Sequence, residues 1–145
     1  MSRLPAGISG LQAGEDVNAV LLDTHAFLWV VFDDPRLSAA AARTIEDTTV
    51  TKLLSVISLW EITIKRQIDK LQLGMELDAF FEEHVTGREL ELVDLELSHL
   101  LAYDALPLIH RDPFDRLLLA QAKVMDVPIV TVDPNFAEYE VRVIW

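Results

Sequence analysis

The sequence predicts an α/β protein in which a central, mainly parallel sheet lies between two layers of helices, a three-layer α/β/α sandwich. Segments with the pattern of strands alternate with segments with the pattern of helices along the chain. Several of the strand segments are apolar throughout, which is typical of strands that are covered by helices on both faces. The length of 145 residues fits one domain with a sizeable core.

The first predicted elements are a strand and two helices. Residues 19–22 are apolar and Asp23 ends them, so they predict a short buried strand. An apolar run follows at 26–32 and predicts a helix. Ser38 is a suitable N-cap for the next helix, over 39–47, because a side-chain oxygen at this position accepts a hydrogen bond from the first helical turn.

The middle of the chain continues the alternation. Residues 48–54 are β-branched and apolar and predict a strand. Ser58 is predicted to cap a strong amphipathic helix, whose apolar side chains recur at helical spacing as Trp60, Ile64, Ile68 and Leu71. A further helix is predicted over 77–84. Residues 89–95 alternate acidic with apolar side chains, which predicts a half-exposed strand.

The last elements are two helices and two strands. Residues 96–106 predict a short helix that ends before a proline. Asp112 and Pro113 suit the N-cap and first turn of the following helix. Apolar residues at 128–132 and 141–144 predict the last two strands.

Charge and composition limit the function classes. The chain carries 24 acidic against 12 basic residues, which argues against a protein that coats nucleic acid with a broad basic face. A nuclease remains possible, because basic residues lie close in sequence to the candidate site acids. The chain has no cysteine, which excludes disulfides and thiolate metal sites and makes a cytoplasmic location the default.

Two further expectations concern the ends of the chain and membranes. Residues 1–18 contain three of the five glycines and no clear periodicity, so we expect a flexible N-terminal leader before a single domain over 19–145. No apolar run approaches the ~18 residues of a membrane-spanning helix, so we expect no membrane partner.

Four carboxylates stand beside apolar runs, where buried elements are predicted to begin or end. Asp23 and Asp133 each follow a predicted strand, and Glu61 and Asp115 each lie in the first turn of a predicted helix. Ligands bind outside the carboxyl ends of the strands in parallel sheets. Converging carboxylates repel one another without a cation, and hard divalent ions prefer oxygen ligands. The pattern therefore predicts Mg²⁺- or Mn²⁺-dependent chemistry on phosphate esters.

Several short motifs in order along the chain carry a family resemblance. They are LLDTHA at 21–26, DPRLS at 34–38, SVISLWEI at 55–62, HRDPFDRLL at 110–118, AQA at 120–122 and TVD at 131–133. Together they resemble the PIN domain, and specifically the VapC-type ribonuclease toxins of type II toxin–antitoxin modules. The resemblance covers nearly all of residues 20–145. It implies a PIN-like α/β/α fold, divalent-metal-dependent cleavage of RNA, a homodimer and inhibition by a cognate antitoxin.

The resemblance also implies roles for the four acids as catalytic and metal-binding residues. Asp23, Asp115 and Asp133 match family acids that would hold the metal directly or through water. Glu61 matches the acid that would bind a second ion or orient the attacking water. The number of ions, one or two, stays open. In the expected reaction, a water activated by the metal attacks an RNA phosphodiester.

A second group of residues is expected around the acids. Asp112 is an additional acid that is either a metal ligand or only a helix cap. Thr24 and Thr131 have hydroxyls beside the ligands and are expected to orient carboxylates. His25 and His110 are expected to be structural or to contact RNA. Three cations are expected to contact the substrate backbone, where they would bind phosphates: Lys65, Arg111 and Arg116. Arg116 could equally pair with Asp112 or Asp133 and hold the site together.

Simpler interpretations exist for each acid taken alone. Asp23 could be a helix cap, and Glu61 could be only the i, i+4 partner of Lys65. Asp115 could be a first-turn acid at the helix dipole, and Asp133 a turn acid. At the level of the whole protein, the alternative is a catalytically inert PIN-fold binding module. A phosphatase with a covalent aspartyl intermediate is disfavoured, because no second acid stands two residues after Asp23.

Overall fold

The computed structural model describes residues 18–145, so the predicted leader lies outside the described residues except for Asn18. Five parallel strands form one sheet in the order β3-β2-β1-β4-β5. Their bounds are β1 Ala19–Leu22, β2 Thr51–Ser55, β3 Glu91–Val93, β4 Ile129–Val130 and β5 Val143–Ile144. The predicted fold class, a three-layer sandwich with a parallel sheet, is confirmed.

Six α-helices connect the strands within residues 18–145. Their bounds are α1 Thr24–Val31, α2 Ala39–Glu46, α3 Val56–Gln67, α4 Leu77–Phe81, α5 Leu97–Ala105 and α6 Pro113–Met125. A π-helical turn, Glu82–Thr86, continues α4, and a 3₁₀ turn, Pro134–Tyr139, follows β4. In this part of the chain no helix has both the length and the apolar character that crossing a bilayer requires.

The two faces of the sheet are buried against different helices. Along β1, Ala19 and Leu21 belong to one apolar cluster, with buried side chains of α6, whereas Val20 and Leu22 belong to the other cluster, with buried side chains of α1. All four side chains are at most 1% exposed. Successive side chains of a strand point to opposite faces, so an all-apolar strand is what a sheet with two covered faces requires.

The start of α3 differs from the prediction. Ser55, not Ser58, is the N-cap, and its side chain accepts a hydrogen bond from the Ile57 N–H. Ser58 lies inside the helix, where it accepts a hydrogen bond from the buried Thr24 hydroxyl at 2.9 Å. Glu61 therefore lies in the second turn of α3 and not in the first as predicted, so it lies beyond the turn where the partial positive charge of the helix N-terminus acts.

The order of the strands places a crevice beside β1. From β1 the chain builds outward through β2 to β3, then returns to the other side of β1 for β4 and β5. The connections reverse direction between β1 and β4, and in parallel α/β sheets such a reversal opens a crevice at the carboxyl ends of the strands. Asp23 follows β1 directly, and Thr131 follows β4 directly.

Candidate active site

Asp23 is held at the end of β1 by two hydrogen bonds. It is the N-cap of α1, and its Oδ1 accepts a hydrogen bond from the Ala26 N–H at 2.7 Å. Its Oδ2 accepts a short hydrogen bond from the Thr131 hydroxyl. The residue is only 4% exposed. Burial raises the pKa of Asp23, and this effect exceeds the lowering by the two hydrogen bonds.

Glu61 reaches the same region from α3. It is buried, at 6% exposure, and its Oε2 lies 3.0 Å from Nζ of Lys65, one turn further along the helix. The proximity of Glu61 adds to the upward shift of the Asp23 pKa, so the two carboxylates interact. The ion pair that was considered as a simple alternative for Glu61 is present, and the negative charge of Glu61 also acts on Asp23.

Asp112 and Asp115 lie at the start of α6. Asp112 is the N-cap, and its Oδ1 accepts hydrogen bonds from the N–H groups of Phe114 and Asp115 at 2.8 and 3.3 Å. Burial, together with the negative charges of Asp112, Glu61 and Asp23, raises the pKa of Asp115 to about 7, against a lowering by His110. Asp112 is thus a helix cap whose negative charge also raises the pKa of Asp115.

Asp133 and His110 complete the cluster. Oδ2 of Asp133 lies 3.1 Å from Nε2 of His110, and Oδ2 of Asp115 lies 3.3 Å from the same nitrogen. The Asp133 N–H donates to the Thr131 hydroxyl oxygen at 3.1 Å. Thr131 therefore links two acids of the cluster, because it donates to Asp23 and accepts from Asp133.

The structure brings the four predicted acids into one neighbourhood. Asp115 interacts electrostatically with Asp23 and Glu61 and shares the His110 ring with Asp133. Ligand atoms of His110, Asp115 and Asp133 lie within 4.8 Å of one another, which is close enough for one ion. Burial first, and the negative charges of neighbouring acids second, raise the pKa values of Asp23 and Asp115. Such an environment fits a divalent cation with oxygen ligands.

The other predicted residues fall into two groups. Lys65 and Arg111 lie near the acids in the chain, and Arg111 is exposed. Arg116 is buried, at 4% exposure. Its guanidinium donates to the backbone carbonyls of Tyr103, Pro107 and His110. Arg116 thus fastens the loop before α6, and its charged group is directed away from solvent.

Two residues, Thr24 and His110, make contacts that the sequence did not predict. Thr24 was expected to orient a carboxylate, but its hydroxyl donates to Ser58. His110 was expected to be structural or to contact RNA, and the structure adds that its ring contacts both Asp115 and Asp133. Its place in the HRDPFD motif, two residues before a helix-capping acid, was the available signal. The contact to Asp133 spans 23 residues and could not be read from spacing.

Comparisons with known proteins agree with this fold. A family model described as the PIN domain matches residues 20–141. VapBC2 from Rickettsia felis, bound to a DNA fragment from the promoter, aligns at a TM-score of 0.67 and 16% identity over 86% of this chain and 96% of that one. VapBC-1 from nontypeable Haemophilus influenzae aligns at 0.60 and 13% identity, over 86% and 96%.

A third solved structure extends the likeness. A toxin–antitoxin complex from Klebsiella pneumoniae aligns at a TM-score of 0.54 and 15% identity, over 79% of this chain and 86% of that one. No protein of curated function matches the chain. Likeness at these identities concerns the fold, whereas the family model matches more than half of the chain. The chain therefore belongs to the PIN domain family.

Proposed function

We propose that this protein is a metal-dependent endoribonuclease that hydrolyses RNA phosphodiester bonds, and that it is the toxin of a type II toxin–antitoxin module. The observation that carries the proposal is the gathering of four acids at the crevice beside β1. Asp115 and Asp133 both contact His110, and the buried Asp23 and Glu61 act electrostatically on Asp115. The chain gathers negative charge there with few cations to balance it. A site of this kind is suited to Mg²⁺ or Mn²⁺ and, through the ion, to phosphate.

The four acids would divide the work at this site. Asp23, Asp115 and Asp133 would hold the cation, and Glu61 would bind a second ion or hold the attacking water in line with the phosphorus. A divalent cation, when bound, would polarise the phosphoryl oxygen and lower the pKa of water. Thr131 holds Asp23 in one orientation, so that a carboxylate oxygen keeps its direction when substrate arrives.

Substrate binding would depend on a small number of cations. Lys65 is half-buried beside Glu61, and Arg111 is exposed in the loop that enters α6. Both would contact phosphates on either side of the scissile bond. The net charge of −12 repels RNA elsewhere on the surface, so we expect binding to be confined to this edge of the sheet. Because few phosphates are neutralised, the affinity should fall only gently with salt.

The proposed partners are an antitoxin and a second copy of this chain, in the cytoplasm. The similar solved structures described above include toxin–antitoxin complexes, which supports an antitoxin.

A cavity of about 690 Å³ lies between α1, α2 and the start of β2, and none of the four acids lines it. Large apolar side chains are exposed on α5 and in the following turn, Leu97, Leu101 and Leu108 among them, which supports a protein contact.

The decisive experiment is an RNA cleavage assay on purified protein with Mg²⁺ or Mn²⁺. The variants are Asp23→Asn and Asp115→Asn, and the matched control is Asp126→Asn. Asp126 caps the opposite end of α6, where an αL conformation suits asparagine. We expect wild type and the control to cleave RNA, and a chelator to abolish this cleavage. The cleavage rate should fall by at least about 100-fold in both site variants. Loss of a group that only supports a metal ligand typically costs about 10–100-fold.

Two results would overturn the proposal in different ways. Robust cleavage that survives both the chelator and Asp23→Asn would exclude the metal mechanism. No cleavage of any RNA in a panel of transfer, ribosomal and messenger RNA, together with no bound Mn²⁺, would favour the catalytically inert binding module.

A further inference from the structure

His110 connects two acids that arrive from different parts of the fold. It lies in the loop between α5 and α6, whereas Asp115 is in the first turn of α6 and Asp133 follows β4. Its Nε2 lies 3.1 Å from Oδ2 of Asp133 and 3.3 Å from Oδ2 of Asp115. One ring nitrogen thus bridges both carboxylates.

The ring is held in place by its own backbone and by a neighbouring aromatic side chain. The His110 N–H donates a short hydrogen bond to the Tyr139 hydroxyl. Its carbonyl accepts from Arg116 at 3.4 Å, and the ring meets Phe136 edge-on, with centroids 5.9 Å apart. Tyr139 and Phe136 are each 1% exposed, so the loop is fastened to the core on the side of the 3₁₀ turn.

The contact at the other ring nitrogen decides which role the geometry allows. The Asp112 N–H donates to Nδ1 of His110 at 3.3 Å, so Nδ1 presents its lone pair. In the neutral ring the proton then lies on Nε2. This N–H donates to Oδ2 of Asp133, and Oδ2 of Asp115 lies 3.3 Å from the same nitrogen. A metal on Nε2 would require the proton to be on Nδ1, facing the Asp112 N–H. The cluster that could accommodate an ion through His110 therefore uses this ring as a donor.

We propose that His110 is a positioning residue that holds Asp115 and Asp133 together through Nε2–H and is not itself a metal ligand. The inference rests on the proposed metal site but not on RNA cleavage. With one N–H between them, the two carboxylates are oriented before a cation arrives, and each keeps its second oxygen for other partners. Oδ1 of Asp133, for example, accepts from the Asn135 N–H at 2.9 Å.

The test compares two amide variants in Mn²⁺ titration calorimetry without RNA. In His110→Gln the amide nitrogen can replace the donor at the position of Nε2. In His110→Asn the shorter amide reaches only the position of Nδ1. We expect His110→Asn to weaken Mn²⁺ binding by about 10–100-fold, as loss of an outer-shell partner does, and His110→Gln to retain most of the affinity. Equal affinity in wild type and His110→Asn would overturn the proposal.

Two spectroscopic measurements test the same point, and the first uses wild type alone, so it does not depend on how a variant folds. The ¹⁵N shifts of the His110 ring in metal-free protein should identify the Nε2–H tautomer. The nitrogen couplings in the electron spin echo modulation of the Mn²⁺ complex should be the same in wild type and in His110→Gln, because no His110 nitrogen binds the ion. An Nδ1–H tautomer, or a directly coordinated His110 nitrogen, would contradict the proposal.

These outcomes separate the inference from the proposed function. Weak Mn²⁺ binding in His110→Asn combined with no cleavage of RNA by wild type would support the role of His110 and reject the nuclease. Cleavage of RNA by wild type, together with a His110 imidazole that coordinates Mn²⁺, would support the nuclease and reject the proposed role of His110.

Discussion

Thr131 donates its hydroxyl proton to Oδ2 of Asp23, and these two residues directly follow the adjacent parallel strands β4 and β1. The same hydroxyl oxygen accepts the Asp133 N–H. One buried side chain thus connects two site acids that are 110 residues apart, from 23 to 133. The crevice beside β1 is closed at its base by this residue.

Replacing Thr131 with valine should weaken metal binding. Valine keeps the shape but removes the hydroxyl, so the buried Asp23 loses a hydrogen bond and its orientation. We expect Mn²⁺ affinity to fall by about 10–100-fold and the free energy of unfolding to fall by about 1–3 kcal/mol. Titration calorimetry and urea denaturation measure the two effects. Thr131→Ser, which keeps the hydroxyl, is the control, and wild-type affinity in Thr131→Val would contradict the argument.

The stability of the metal-free protein should depend on pH through Asp115. Its pKa is about 7 in the folded state, against an ordinary value of 3.8, so the folded state holds a proton that the unfolded state releases. The stabilisation is complete below pH 4 and is lost as the pH rises from about 4 to 7. A shift of this size corresponds to at most about 4 kcal/mol.

Asp115→Asn isolates this effect. The variant removes the ionisation, so the difference in unfolding free energy between wild type and variant should increase from pH 5 to pH 8 in favour of the variant. Millimolar Mn²⁺ should reverse the order at pH 8 and raise the melting temperature of wild type alone, because only wild type gains from binding. A difference that does not change with pH would show that Asp115 is ionised throughout.

Lys65→Met should change metal and RNA binding in opposite directions. Lys65 neutralises the buried Glu61 at 3.0 Å, so its removal leaves the acids more negative and should tighten Mn²⁺ binding. RNA should bind more weakly, and the slope of log affinity against log salt should decrease in magnitude by about 1. Lys123→Met, in the last turn of α6, is the control. A parallel loss of both affinities would point to misfolding.

Arg116 and Arg111 should separate structure from substrate binding. Arg116 donates to three backbone carbonyls and stacks on Tyr103 at 4.7 Å, so Arg116→Met should lower the unfolding free energy by about 1–3 kcal/mol. Arg111→Met should leave stability within about 0.5 kcal/mol, as surface changes usually do, and weaken RNA binding. Filter binding at several salt concentrations and urea denaturation distinguish them. RNA binding that requires the Arg116 charge in a fully folded variant would contradict this division.

Local sequence signals predicted the elements and the places of three acids. The apolar run before Asp23 ends sharply, and the Asp112–Pro113 pair is a strong helix start, so β1 and α6 could be predicted from neighbouring residues. Ser55 and Ser58 both precede apolar residues and both can cap a helix, so the sequence could not choose between them. The choice depends on how far β2 extends, which pairing with β1 and β3 determines.

Contacts between distant residues could not be predicted in the same way. Thr24 forms a hydrogen bond with Ser58, and Arg116 forms hydrogen bonds with the loop before α6. Both depend on how the helices pack after the sheet has formed. The acids were predicted to gather because strand ends meet at one edge. Which hydroxyl or ring joins which pair depends on distances of a few tenths of an ångström, and no residue spacing encodes them.

The order of acids along the chain has a consequence for biosynthesis. Asp23 leaves the ribosome well before β4, Thr131 and Asp133, which lie more than a hundred residues further along the chain. Because β4 pairs directly with β1, β1 lacks one of its two neighbouring strands until more than a hundred further residues have been synthesised. A nascent chain therefore cannot assemble the acid site, and any activity that depends on the site begins only after translation has passed residue 133.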